Sequence, residues 1–128
     1  MDLNQITIPC QDYAKSVAFY VRLGLRQIVD SPPRYARFET ESGTTLSIHK
    51  VGLNISSAGV VVYFEVENVD ELVDKLIGVG LDFESMPSDT DWLWREAYLL
   101  DPAGNRVCLY HAGQNRRYPP WRIDDGAA

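Results

Sequence analysis

The sequence predicts an α+β fold built from two tandem βαβββ modules, and three observations support it. The first is the stretch from Trp92 to His111, WLWREAYLL-DPAGN-RVCLYH, in which Asp101-Pro102-Ala103-Gly104-Asn105 supplies turn chemistry between two strand-like runs. In the second of those runs Arg106, Cys108 and Tyr110 alternate with Val107, Leu109 and His111, which gives the strand two distinct faces. The second observation is a pair of amphipathic helical stretches, each opened by a capping residue and closed by a glycine. The third is a repeat. Asp12 and Asn68, Val17 and Val73, Gly24 and Gly80, and Leu25 and Leu81 are offset by 56, while Gly43 and Gly104, Leu46 and Val107, and Ile48 and Leu109 are offset by 61.

Taken in order, residues 3–10 read as a buried strand, and Asp12 is the N-cap of a helix that carries Ala14, Val17, Ala18 and Val21 on one face. Gly24 stops it. Residues 25–29, 35–40 and 45–50 follow as short strands, broken at Ser31-Pro32-Pro33 and at Glu41-Ser42-Gly43. A polar connector over residues 52–57 leads to a strand at 60–66. Asn68 with Glu71 three positions on resembles a capping box, and Val69, Leu72, Val73, Leu76 and Ile77 form the stripe of a helix that packs on a sheet. The larger second offset adds five residues to the second half, which places a longer loop at 87–92. Residues 1–112 are thus expected to form a single domain, module one at 3–50 and module two at 59–111. Tyr118-Pro119-Pro120-Trp121 cannot continue a helix or strand, so residues 113–128 are expected to be an extended C-terminal tail.

A chain of 128 residues, 45% of them hydrophobic, is one domain's worth and can bury a core. Its net charge of -6 argues against nucleic acid or an anionic membrane as partner and favours a small neutral or partly cationic ligand. No run approaches the roughly 18 consecutive apolar residues of a membrane helix, and the opening MDLNQITIPC has no signal-peptide pattern, so a cytoplasmic location is expected. Cys10 and Cys108 are too few for a disulfide framework.

The modules, with Phe19-Tyr20-x-x-Leu23-Gly24-Leu25, the run Phe64-Glu65-Val66-Glu67-Asn68-Val69-Asp70, and Asp101-Pro102-x-Gly104-Asn105, together resemble the vicinal oxygen chelate superfamily. That superfamily comprises glyoxalase I, extradiol dioxygenases, fosfomycin-resistance enzymes and bleomycin-resistance proteins. The resemblance spans residues 3–112. It implies a curved, cleft-enclosing sheet of the glyoxalase/bleomycin-resistance fold, a small-molecule ligand and a cleft often completed by a second subunit. Metal-binding members place ligands at positions that fall here on Gln5, Ser47, Val61 and Cys108. The repeat independently pairs Gln5 with Val61 and Ser47 with Cys108. A zinc or hard divalent ion wants several imidazole or carboxylate donors, so the expected cofactor is none and a divalent metal is disfavoured.

Strand residues two apart share a face, which brings Thr7 beside Gln5, His49 beside Ser47, Tyr63 and Glu65 beyond Val61, and Arg106 and Tyr110 beside Cys108. His49 suits general acid or base work, or is a solvated strand-end histidine. Glu65 is a base, a cation partner or a rim charge. Cys108 is a nucleophile or a buried structural thiol. Trp94, Tyr98 and Tyr110, interleaved with arginines, either sandwich a planar ligand or belong to the sheet core.

Three functions remain open on the sequence alone. The first is a metal-free protein that binds a planar or aromatic ligand through Gln5, Thr7, Ser47, His49, Tyr63, Trp94, Arg106, Cys108 and Tyr110. The second is a glyoxalase-like or dioxygenase-like enzyme whose divalent metal sits on an unfamiliar set such as Gln5, His49 and Glu65. The third is a metal-free lyase or isomerase with His49 or Glu65 as catalytic residues. Exposed sheet edges and a half-open cleft lead to the expectation of a homodimer.

Overall fold

The computed structural model describes residues 1–52 and 59–123. The described chain runs β1 (Gln5–Cys10), α1 (Tyr13–Leu23), β2 (Arg26–Ser31), β3 (Tyr35–Glu39), β4 (Thr45–Lys50), β5 (Val61–Glu65), α2 (Val69–Gly78), β6 (Ser85–Asp89), β7 (Arg95–Leu100) and β8 (Arg106–His111). This is βαβββ twice. Most of the connector expected at 52–57 lies outside the described residues. No described helix is long and apolar enough to cross a membrane.

The hydrogen bonds define two four-stranded mixed sheets, β1-β4-β3-β2 and β5-β8-β7-β6, which do not close on each other. Each holds one parallel pair. β1 aligns with β4 so that Gln5 faces Thr45, and β5 aligns with β8 so that Val61 faces Arg106. Those registers carry the same two offsets as the sequence, 56 from Gln5 to Val61 and 61 from Thr45 to Arg106. The duplication is therefore present in the pairing of backbones as well as in residue type.

The helix ends repeat in the same way. Asp12 accepts a hydrogen bond from the Lys15 amide and Asn68 from the Glu71 amide, each filling a donor that the first helical turn leaves free. At the other end Leu25 donates to the Tyr20 carbonyl and Gly24 to Val21, while Leu81 donates to Leu76 and Gly80 to Ile77. Both closures are Schellman motifs.

One face of each of these strands points toward the helices, the even-numbered residues in β1, β3, β4 and β5 and the odd-numbered ones in β7 and β8, and together they form one core across both modules. Ile8, Phe38, Leu46 and Ile48 of module one pack in the same cluster as Val62, Leu76, Leu99, Val107 and Leu109 of module two, with Phe19, Tyr20 and Leu23 of α1 among them. A polar clasp crosses the same boundary. The Tyr20 hydroxyl donates to Asp101 Oδ2 at 2.6 Å, and Asn105 Nδ2 donates both to that carboxylate at 2.7 Å and to the Pro9 carbonyl at 2.8 Å.

Two expectations are corrected here. Residues 87–92 are not wholly loop: 85–89 form the edge strand β6, and the strand expected from Trp92 begins only at Arg95. An edge position spares Pro87 the missing donor, and the register shift between Ser85 and Ser88 accommodates it. The extra length lies in the β6–β7 hairpin. Ser31 and Tyr35 pair across three residues, whereas Ser88 and Glu96 pair across seven. The tail also departs from expectation, because it starts with a one-turn 3-10 helix, Gly113–Asn115, instead of an extended arm. Glu65 Oε2 accepts the Ala112 and Gly113 amides at 2.8 and 2.9 Å, and turns closed by Tyr118 on Gln114 and Arg122 on Pro119 follow. Residues 124–128 of the tail lie outside the described residues.

The β6–β7 hairpin shares its turn with two others. Thr90, Thr40 and Asp101 each accept the amide of the residue three positions on, and at that third position stand Leu93, Gly43 and Gly104 with φ of 68°, 89° and 85°. Glycine takes this left-handed conformation without strain, whereas leucine pays for a crowded Cβ. Leu93→Gly is expected to stabilise the fold by about 1 kcal/mol, read as a higher urea midpoint at unchanged slope. An unchanged or lower midpoint would show that the half-exposed Leu93 side chain contributes more than its backbone strain costs.

Candidate functional site

The alternate strand residues, odd-numbered in β1, β3, β4 and β5 and even-numbered in β7 and β8, line the faces away from the helices, as alternation requires. In module one this face is polar and linked. Gln5 Nε2 donates to Ser47 Oγ at 2.8 Å and to Thr7 Oγ1 at 3.3 Å, and Gln5 Oε1 accepts from Thr45 Oγ1. Ser47, fully buried, lies 2.5 Å from the Tyr35 hydroxyl, to which Arg37 Nε donates at 2.8 Å. Burial pushes the Tyr35 phenol up, but the Ser47 hydrogen bond and then the Arg37 hydrogen bond and charge outweigh it, and its pKa falls below the ordinary phenol value. His49 is exposed at the end of β4 beside Tyr35, and its ring makes no hydrogen bond with another described residue.

In module two the face is aromatic and packed on itself. Trp94 stacks on Tyr110 with ring centres 4.4 Å apart and planes 17° from parallel, and Tyr63 meets both edge-on at 5.9 and 5.7 Å. The Trp94 indole also donates to the Asn115 carbonyl at 3.3 Å, which ties the tail to the cluster. Arg106 lies over the Tyr98 ring at 4.5 Å. Beneath them Cys108 and Tyr110 are buried, so β8 is covered on both faces. Burial, and then the nearby Glu96 carboxylate, push the Cys108 thiol up to about 12, so it stays protonated at neutral pH. Burial and then Tyr63 likewise raise the Tyr98 phenol.

A cavity of about 330 Å³ lies between the two modules, with Gln5, Ile6 and Leu46 contributed by the first and Val61, Tyr63 and Phe64 by the second. That volume suits a small ligand. Gln5 and Tyr63 are thus brought together from separate modules. Glu65 is placed differently: its Oε2 caps the tail's 3-10 helix and its Oε1 lies 3.5 Å from Arg116 Nε. His111, on the opposite face, bonds the Val66 carbonyl through Nδ1 at 2.8 Å.

Three polar residues of these faces were not singled out by sequence reasoning: Tyr35, Arg37 and Glu96. The offset of 61 relates Tyr35 to Glu96 and Arg37 to Tyr98, and strand parity places all four on the faces described. The signal existed, but nothing in it distinguished a buried charge from a solvated one.

The profile of the Glyoxalase/Bleomycin resistance protein/Dioxygenase superfamily matches residues 2–109. The chain belongs to that superfamily. Several solved structures share its fold at low identity. A family enzyme from Burkholderia phytofirmans PsJN is 23% identical, with 88% of this chain and 99% of that one covered and a TM-score of 0.72. A glyoxalase/bleomycin resistance protein/dioxygenase from Nocardioides is 22% identical over 97% and 90%, with a TM-score of 0.75. TioX from Micromonospora sp. ML1 is 22% identical over 88% and 99%, with a TM-score of 0.70. Comparison with curated proteins gives no significant match.

The positions implied for a metal in this superfamily do not fit one here. Gln5 and Ser47 bond each other, Val61 offers no donor atom, and Cys108 holds its proton. Such a set supplies neither the charge nor the geometry that a divalent ion needs. Among the described residues no three His, Cys, Asp or Glu side chains come together.

Proposed function

We propose that this chain is a metal-free small-molecule-binding member of the glyoxalase superfamily that takes a planar or aromatic ligand between the Tyr63–Trp94–Tyr110 cluster and the polar face of Gln5, Thr7 and Ser47. The observation that carries this reading is that Gln5, bonded to Ser47 in a donor set unfit for metal, and Tyr63, packed on Trp94 and Tyr110, line one cavity from separate modules. Flat rings give a planar ligand large contact area, and a few polar groups fix its orientation. Arg106 and Tyr98 extend the aromatic wall. In the same reading the protein is a cytoplasmic homodimer, since edge strands β1 and β5 and the exposed rings of Tyr63 and Trp92 call for cover. A monomer in sedimentation at micromolar concentration would count against that part.

The direct test is calorimetric titration with acridine, a neutral planar ring system. Saturable binding is expected, and its absence at millimolar acridine would remove the planar-ligand reading. A second reading, proton-transfer catalysis as in a lyase or isomerase, is favoured by Tyr35, whose phenol is acidified by its Ser47 and Arg37 neighbours, more than by the exposed His49 or the engaged Glu65.

A further inference from the structure

Glu96 stands in the middle of the module-two face and is 5% exposed. Along β7 its same-face neighbours are Trp94 and Tyr98, and across the ladder it pairs with Tyr110. Its contacts are poor for a buried acid. Oε2 accepts the Tyr98 hydroxyl at 3.4 Å and the Cys108 thiol at 3.7 Å, and Oε1 accepts no hydrogen bond from a described residue. The arginines of this module are engaged elsewhere: Arg95 with Asp70 and Asp89, Arg106 with the Tyr98 ring and Glu84, and Arg116 with Glu65.

Glu96 is nearly covered and bonded to no cation among the described residues, yet its Oε1 keeps some solvent contact and is open to a ligand; a carboxylate so placed is costly unless paired. The surroundings supply what an organic cation wants besides a counter-charge, because the ring faces of Trp94, Tyr98 and Tyr110 carry the negative quadrupole that attracts one. The negative net charge of the chain also draws cations toward it. The symmetric position in module one is occupied by Tyr35 with Arg37 beside it, so the two faces have opposite polarity. We propose that Glu96, ringed by Trp94, Tyr98 and Tyr110, anchors a protonated amine or amidine carried by the planar ligand. This inference rests on the planar-ligand reading and adds the charge of the ligand to it.

The test compares 9-aminoacridine, a cation at mildly alkaline pH, with acridine, which is neutral there, by calorimetry on the full chain. The cation should bind roughly tenfold or more tightly, the scale expected of a buried charge pair. In E96Q, confirmed folded by its melting curve, that preference should disappear. Equal affinity of the wild-type protein for the two dyes overturns the inference while leaving the planar reading in place, and this comparison decides the matter even if E96Q does not fold. Retention of the full preference in folded E96Q also overturns it. Failure of both dyes to bind removes both readings together.

Discussion

Asp101→Ala is expected to lower stability by about 3–5 kcal/mol, on the scale of truncating a large core side chain. The carboxylate is nearly inaccessible and accepts the Tyr20 hydroxyl, the amides of Ala103 and Asn105 and the Asn105 side chain, all at 2.6 to 2.9 Å. Its removal would leave those buried donors without an acceptor, and each unsatisfied donor costs about 1–3 kcal/mol. It would also loosen Asn105 from the Pro9 carbonyl, and with it the junction between modules. For a chain of this length the melting temperature should fall by on the order of 10 °C, measured by calorimetry. Tyr20→Phe removes one donor and leaves the rest of the turn, so it should cost about 1 kcal/mol. A small change for Asp101→Ala would mean that the turn is held by its backbone alone.

Trp94→Ala is expected to weaken acridine binding by about 2–4 kcal/mol, as loss of an aromatic anchor does. The ring is stacked on Tyr110 and held from behind by the Asn115 carbonyl, so it is presented with little freedom left to lose on binding. Calorimetry reads the affinity without relying on the fluorescence of the deleted residue. Because Trp→Ala also removes packing, the melting curve must show the variant folded. Unchanged affinity in the folded variant would move the ligand off the aromatic face.

The parts of this fold that were legible in the sequence are those set by local chemistry. Asp12 and Asn68 begin helices because a short acceptor side chain can reach a free amide three residues on, and Gly24 and Gly80 end them, whatever surrounds them. The offsets of 56 and 61 recur in the strand registers, since a repeated backbone repeats its pairing. Strand β6 was not legible. Its residues, Ser85-Met86-Pro87-Ser88-Asp89, show no alternation of apolar and polar, because an edge strand with little to bury is held mainly by backbone pairing with β7. The tail was read as extended on the strength of its prolines, but its first turn is decided by Glu65, 47 residues earlier than the Ala112 amide it caps.

Within the candidate site, strand parity placed Gln5, Thr7, Ser47, Tyr63, Cys108 and Tyr110 on the outward faces. What parity could not convey is which of these faces is open. Cys108 and Tyr110 alternate with core residues in the sequence and yet are themselves buried, because Trp94 and Tyr63 fold over them. Glu96 lay hidden for the same reason. A glutamate between a tryptophan and a tyrosine reads as a solvated strand residue until the rings are seen to cover it.

Binding in this cleft is proposed to need no metal. Elemental analysis of the protein purified without chelator, followed by acridine titration before and after chelation, tests it directly. Less than stoichiometric divalent metal and an acridine affinity unaffected by chelation are predicted. A stoichiometric Zn, Ni, Mn or Fe ion, with binding lost on its removal and restored on its return, would contradict it.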